Sequence, residues 1–182
     1  GNAEYIEVDH PVQKACLEAF EMVTDQTSPG YGIDGCSAPN YATTVHGLAR
    51  AMAWFASAQD RNDLASNAAA RLTQAMAQFP ELVAGEGRAC TELMRAMDDK
   101  VAIKTGAEGV FVAIVPEKKI GLALKAMDGA TRASEAAIAA LLVSLGVLDA
   151  NHPATLKRMN APVRNWRGVD TGMIKPAADL VL

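Results

Sequence analysis

Lys104-Thr105-Gly106 is the tripeptide with the most chemistry to offer. A lysine followed by a hydroxyl and a flexible glycine can serve a nucleophile in two ways. It shuttles a proton where burial lowers its pKa, and it binds a carboxylate where it stays charged. The Thr105 hydroxyl and nearby backbone N–H groups can then hold the polar end of a substrate. So short a motif also fits a solvated lysine at a strand end, before a turn glycine.

Asp34-Gly35-Cys36 is the second constellation. A loop carboxylate beside a thiol can accept a substrate ammonium, ligate a metal or present a nucleophile. The plain alternative is an Asp-Gly turn followed by a cysteine acting as a small hydrophobe. Glu86 and Arg88, in Gly85-Glu86-Gly87-Arg88, can bind a charged substrate or form a structural ion pair near a helix start. His10, His46 and His152 share no ligand spacing, and no catalytic role is assigned to them. No Walker A sequence, no GxGxxG after a strand and no HExxH is present, so nucleotide, flavin and zinc-protease chemistry have no support.

The elements that must position these residues follow from periodicity. His10-Pro11 opens a helix running to about Asp25, with Cys16, Leu17, Phe20 and Met22 or Val23 for an inner face. Thr27 to Asn40 is rich in Ser, Pro, Gly and Asn and predicts a loop with at most one short strand. Thr43 or Thr44 caps a helix bearing Val45, Leu48, Ala49, Met52 and Phe55. A second stripe, Leu64, Ala68, Leu72, Ala75, Met76 and Phe79, predicts another helix, which Pro80 ends or kinks. A third helix bears Cys90, Leu93, Met94 and Met97. The period then changes. Val101–Ile103, Gly109–Val115 and Ile120–Lys125 predict an antiparallel meander. Ile120, Leu122 and Leu124 alternate with Gly121 and Ala123, so one face is small enough for a helix to sit close. The Ala-rich segment from Ala130-Thr131 to Leu145, stopped by Gly146, is the expected occupant. The tail predicts one more strand near Val169 to Ile174.

The order predicts an α+β chain, an antiparallel sheet packed by helices. It reads as one domain over 1–182, with a small helical subdomain at 42–97 and a sheet-forming part at 99–182. Composition agrees with a soluble domain: half of the 182 residues are hydrophobic, 5% are aromatic, and the net charge is −4. With no basic run, a nucleic-acid surface or an anionic membrane is not expected as a partner. The longest apolar candidate, Ala136 to Leu148, falls short of a bilayer span. No signal peptide is visible, and Gly1 reads as a tag remnant on a fragment of a longer protein. Three widely spaced cysteines without a CxxC pair fit a reducing cytoplasm.

Several collinear stretches together resemble the type II, or Rhizobium-type, L-asparaginase family. They are Ile33–Pro39 around Asp34 and Cys36, Phe79–Arg88, Ala102–Gly109 around Lys104, Gly121–Lys125 with Asp128-Gly129-Ala130, and Arg164–Gly168. The resemblance implies a fold like that of serine β-lactamases, penicillin-binding proteins and glutaminases. It also implies hydrolysis of L-asparagine to L-aspartate and ammonia through Ser/Lys pairs. Lys104 matches the lysine that pairs with one active-site serine. Cys36 matches one ligand of a zinc site, and Asp34 an acidic residue lining the pocket. The family's Ser-x-x-Lys nucleophile segment has no counterpart in these 182 residues. The resemblance therefore places the N-terminal part of the fold, with its serine, upstream, and implies zinc in the full-length protein but none tightly bound to this chain alone. A catalytically inert half acting in assembly is the alternative, or a glutaminase or serine-hydrolase relative. A homodimer is expected, because the first meander strand's edge or the Ile120–Leu124 face would be left uncovered. The whole reading requires Lys104 and Cys36 to face one cavity.

Overall fold

The computed structural model describes residues 4–180, and the expected tag remnant at Gly1 lies outside them. In chain order the elements are α1 (Pro11–Thr24), β1 (Tyr31–Ile33), β2 (Pro39–Tyr41), α2 (Val45–Ala56), α3 (Leu64–Gln78), α4 (Pro80–Ala84) and α5 (Ala89–Ala96). There follow β3 (Ala102–Thr105), β4 (Val110–Val115), β5 (Ile120–Lys125), α6 (Thr131–Ser144), α7 (Pro153–Leu156), β6 (Ala161–Arg164) and β7 (Asp170–Ile174). The chain is thus α+β. None of the helices is long and apolar enough to cross a membrane among the described residues.

Local chemistry sets the helix starts. The His10 ring nitrogen accepts the Val12 N–H, Thr44 Oγ1 accepts from Gly47, and Asp63 Oδ1 accepts from Ser66. Each side chain satisfies a donor that the first helical turn leaves free. Past the end of α6, Gly146 takes a left-handed φ of 70°, which lets Val147 N–H return to the Leu142 carbonyl. The segment expected to hold at most one strand forms the β1–β2 hairpin, with Pro39 at the start of its second strand. The tail likewise holds two paired strands, β6 and β7, where one was expected. Both hairpins are short, and periodicity over three to five residues is weak evidence.

The expected meander forms, in the order β3-β4-β5 with antiparallel pairing throughout. One face carries Val101, Ile103, Phe111, Ala113, Val115 and Leu122, packed with Leu93 and Met94 of α5 and Ile138 and Leu142 of α6. Burying each large side chain here contributes about 1.5–3 kcal/mol, which makes this cluster the main source of stability. The opposite face carries Ala102 and Ile114 against Ala56, Met52 and Phe55 of α2 and Met76 of α3. Within residues 42–97, the helices are therefore divided between the two faces of the sheet.

The small face selects a different helix from the one expected. A Cβ on Gly121 would lie 2.0 Å from the Ala53 nitrogen and 2.3 Å from the Ala49 carbonyl oxygen. The close partner is α2, not α6. Ala-richness in α6 signals a helix whose Ser134, Ala136, Ile138, Ala139, Ala140 and Leu142 are buried, and it says nothing of which face is met.

The α3 stripe is also reversed, except at Met76, which packs toward the sheet. Its buried residues are Ser66, Ala69, Thr73 and Ala77, while Leu64 and Leu72 are 88% and 58% exposed. Small residues let α3 lie close to its neighbours. Arg61, stacked 4.6 Å over the Trp54 ring, donates to Ser66 Oγ at 2.8 Å and fixes the helix start. On α1, Cys16 and Met22 are exposed, and only Gln13 and Thr24 are fully buried.

The edge of β3 is not left open. Ile103 N–H donates to Met94 Sδ at 3.4 Å and Thr105 N–H to Cys90 Sγ at 3.2 Å. Four residues of helix rise about 6 Å and two residues of strand about 6.8 Å, so the two rows stay in step. Leu122 is buried and Ile120 and Leu124 pack on the main cluster, so that face is covered too.

Candidate functional site

Alternation along β3 separates the neighbouring residues of its motif. Lys104 pairs with Val112, which pairs with Ala123, so the lysine belongs to the face that α2 covers. Thr105 pairs with Phe111 and belongs to the opposite face, toward α5. Lys104 is exposed, and its ammonium donates to the Thr105 carbonyl at 2.7 Å. Gly106 N–H returns to the Val110 carbonyl at 2.8 Å and closes the strand end into a turn. An exposed ammonium at such an end can swing toward a bound group, while the backbone beneath it is held by the Cys90 thiol.

Cys90 was expected only as a core side chain, and its place beside this motif is the residue that sequence reading missed. It is fully buried in the second position of α5. Burial pushes its thiol pKa up, against the opposing pull of the Thr105 N–H and the charges of Lys104 and Arg88. The group is therefore a neutral thiol at ordinary pH, a sulfur acceptor rather than a nucleophile. The contact joins residues fifteen apart in the chain and has no local sequence signal.

Arg88 precedes the first residue of α5 and is exposed, with its charge felt at Cys90. Glu86 is committed elsewhere. Its two oxygens accept from Arg95 at 2.7 and 2.8 Å, and this bidentate pair holds its pKa below the usual carboxylate range. Of the two open readings for Glu86, the geometry has the ion pair, and the partner is Arg95 of α5 rather than Arg88.

Asp34 and Cys36 form the turn between β1 and β2. Asp34 Oδ1 accepts from Cys36 N–H at 2.8 Å and from the Cys36 thiol at 2.9 Å. These bonds, the thiol's first, lower the Asp34 pKa. Both residues are exposed. Asp34 lines an open concavity of about 470 Å³ with Ile33, Asn40, Tyr41 and Thr43. The hairpin is tied to α1 through Tyr41, whose hydroxyl donates to the Gln13 carbonyl at 3.0 Å, and α1 packs on α2.

The site residues thus fall into two groups. Lys104, Thr105 and Arg88 gather around Cys90, and Asp34 and Cys36 sit in the hairpin. Among the described residues no hydrogen bond or ion pair joins the groups, and Lys104 does not line the concavity at Asp34. No cluster of three or more His, Cys, Asp or Glu among them is placed to hold a metal ion. Cys36 and Asp34 offer two donors already bonded to each other, so these residues do not by themselves fit a zinc centre.

Comparison with known families returns one described as L-asparaginase II, matched over residues 1–176. No curated protein matches the chain.

Proposed function

The chain belongs to the L-asparaginase II family, and from that premise we propose that it is the lysine-bearing part of an amidohydrolase acting on L-asparagine. The match over almost the whole chain is the observation that supports this reading most. The exposed Lys104 at the end of β3, beside Thr105 and Arg88, is the chemistry consistent with it. The reaction proceeds by acyl transfer on a fold of the β-lactamase and glutaminase type. A serine outside these 182 residues attacks the side-chain carboxamide carbon, ammonia leaves with the proton taken from that serine, and water hydrolyses the resulting ester to L-aspartate.

In this reading Lys104, exposed among the described residues, leaves the Thr105 carbonyl and, once enclosed against serine and substrate, moves the proton between serine and leaving group. Thr105 and Arg88 hold the polar and carboxylate end of the substrate. Arg88, whose planar guanidinium can present two parallel donors, is the better carboxylate partner. Asp34, kept ionised by its Cys36 hydrogen bonds, faces the substrate ammonium from the hairpin. The hairpin and the β3 end share no concavity among the described residues, contrary to the requirement set from sequence, so the reading rests on the family match and on Lys104 rather than on an assembled pocket. No step is assigned to zinc.

The test is ammonia release by the protein expressed from its complete coding region, offered L-asparagine, L-glutamine and a β-lactam in turn. The reading expects L-asparagine to be turned over at the highest kcat/KM. Turnover of glutamine or the β-lactam in preference, or of none of the three, would contradict it.

A further inference from the structure

One cavity lies apart from the groups gathered at Lys104 and at Asp34. It has a volume of about 270 Å³ and sits where the end of α2, one side of α3 and the link from α5 to β3 meet. Phe55 and Pro116 give it apolar walls. The rest of its lining is mostly polar: Gln59, Gln74 and Gln78, Asp99 and Lys100, and the Thr73 hydroxyl. Among the described residues, the three glutamine side chains, Asp99 and Lys100 have no hydrogen bond or ion pair within the protein. Thr73 is more than nine-tenths buried and gives its proton to the Ala69 carbonyl at 2.9 Å, which leaves its oxygen free to accept.

The backbone explains how Asp99 and Lys100 come to share the cavity. Adjacent residues of an extended chain point to opposite sides. Here Asp98 and Asp99 take left-handed φ values of 51° and 60°, and Lys100 N–H returns to the Met97 carbonyl. Two consecutive non-glycine residues in this region are costly, and such strain persists only where the surrounding fold imposes it. The result is one anion and one cation on the same wall, not paired with each other. Asp60, next to Gln59, is neutralised by Lys119 at 2.7 Å, which leaves Asp99 and Lys100 as the charged groups of the lining.

These groups describe their occupant. An aspartate accepts from an ammonium and a lysine donates to a carboxylate, so together they complement the two charges of a zwitterion. Glutamine carboxamides both donate and accept, and they match another carboxamide better than a carboxylate, which only accepts. The cavity has room for about nine water-sized groups at about 30 Å³ each, the size of the non-hydrogen skeleton of asparagine.

We infer that this cavity is a second amino-acid site, which takes a zwitterionic α-amino acid with a carboxamide side chain. The amino group meets Asp99, the carboxylate meets Lys100, and the carboxamide lies among the three glutamines. The inference is independent of the amidohydrolase reading, because none of these residues takes part in the proposed reaction. Lys100 precedes Lys104 by four residues, roughly 13 Å of extended chain, so the two sites are distinct. A ligand held there grips the residues that lead into β3.

The test is an amide chemical-shift titration of the chain with L-asparagine, unaltered and as Lys104→Ala. Both are expected to show shifts centred on Gln74, Asp99 and Lys100 that saturate with a Kd at or below about 1 mM. Asp99→Asn, which keeps a residue tolerant of left-handed backbone, and Lys100→Gln are each expected to weaken binding about tenfold or more at unchanged Tm, both positions being exposed. L-Aspartate, and propionamide, which lacks both charges, are expected to bind about tenfold more weakly than L-asparagine or worse. No saturation by L-asparagine, binding indifferent to both substitutions, binding lost in Lys104→Ala, or L-aspartate or propionamide matching L-asparagine would overturn the inference.

Discussion

Cys90 and Lys104 show how far a residue's neighbourhood departs from its sequence context. Cys90 lies in a helix and Lys104 in a strand, yet the Thr105 N–H joins them through a 3.2 Å bond to sulfur. Removing that sulfur leaves a strand-edge donor buried without a partner, which costs about 1–3 kcal/mol. Cys90→Ala is accordingly expected to lower the urea midpoint at unchanged m-value, and an unaltered midpoint would show the contact to be idle. The same burial predicts a reactivity pattern. Of the three cysteines, Cys16 and Cys36 are exposed and Cys90 is not. Titration of the native chain with a thiol reagent is expected to find two fast thiols, and the third only after denaturation.

Among the elements, α2 and β5 make the tightest fit, and Gly121 is why. Any side chain there must displace helix backbone rather than a mobile side-chain tip. Gly121→Ala is expected to destabilise the fold by about 3 kcal/mol, a fall in Tm of roughly 6–12 °C. A drop below 2 °C would mean that α2 can ride outward freely. The strands of the meander, their antiparallel order and the starts of α1, α2 and α3 were legible in the sequence, because alternation, caps and prolines are local signals. Which helix meets which face was not. Gly121 announced a close partner, but both α2 and α6 are rich enough in alanine to be that partner, and the choice rests on long-range packing. The α3 stripe misled for a related reason, since periodicity marks one apolar side of a helix without saying what covers it. In the site, the Lys104 motif and the Asp34 turn were legible as separate features. Neither Cys90 nor the commitment of Glu86 to Arg95 was, as both depend on contacts across elements.

At the scale of the whole molecule, one charged cluster ties α5, α6 and α7 together. The buried Arg158 side chain is paired with Glu92 and, at 3.6 Å, with Glu135, while Lys157 donates to Glu92 at 2.8 Å. Among the described residues Arg158 Nε has no hydrogen-bond partner, so the pairing with the two carboxylates must offset its burial. Burial alone would raise the Glu92 pKa, but the hydrogen bonds from Lys157 and Arg158 prevail and lower it. A folded-state pKa below the unfolded value of 4.5 gives stability that is complete above that pH and lost as the pH falls through the folded value. Glu92→Gln is expected to flatten this acid limb of the stability curve and, by leaving Arg158 poorly paired, to destabilise the neutral protein by about 3 kcal/mol. An acid limb identical to that of the unaltered protein would show that another carboxylate governs it.

The proposed amide hydrolysis depends on Lys104 moving a proton. The direct measurement is kcat for ammonia release from L-asparagine by the protein of the complete coding region, unaltered and as Lys104→Ala, with Tm recorded for both. Loss of the proton carrier predicts a fall of about 10²–10⁴ in kcat at an unchanged Tm. Turnover within a factor of two of the unaltered protein would contradict the role given to Lys104.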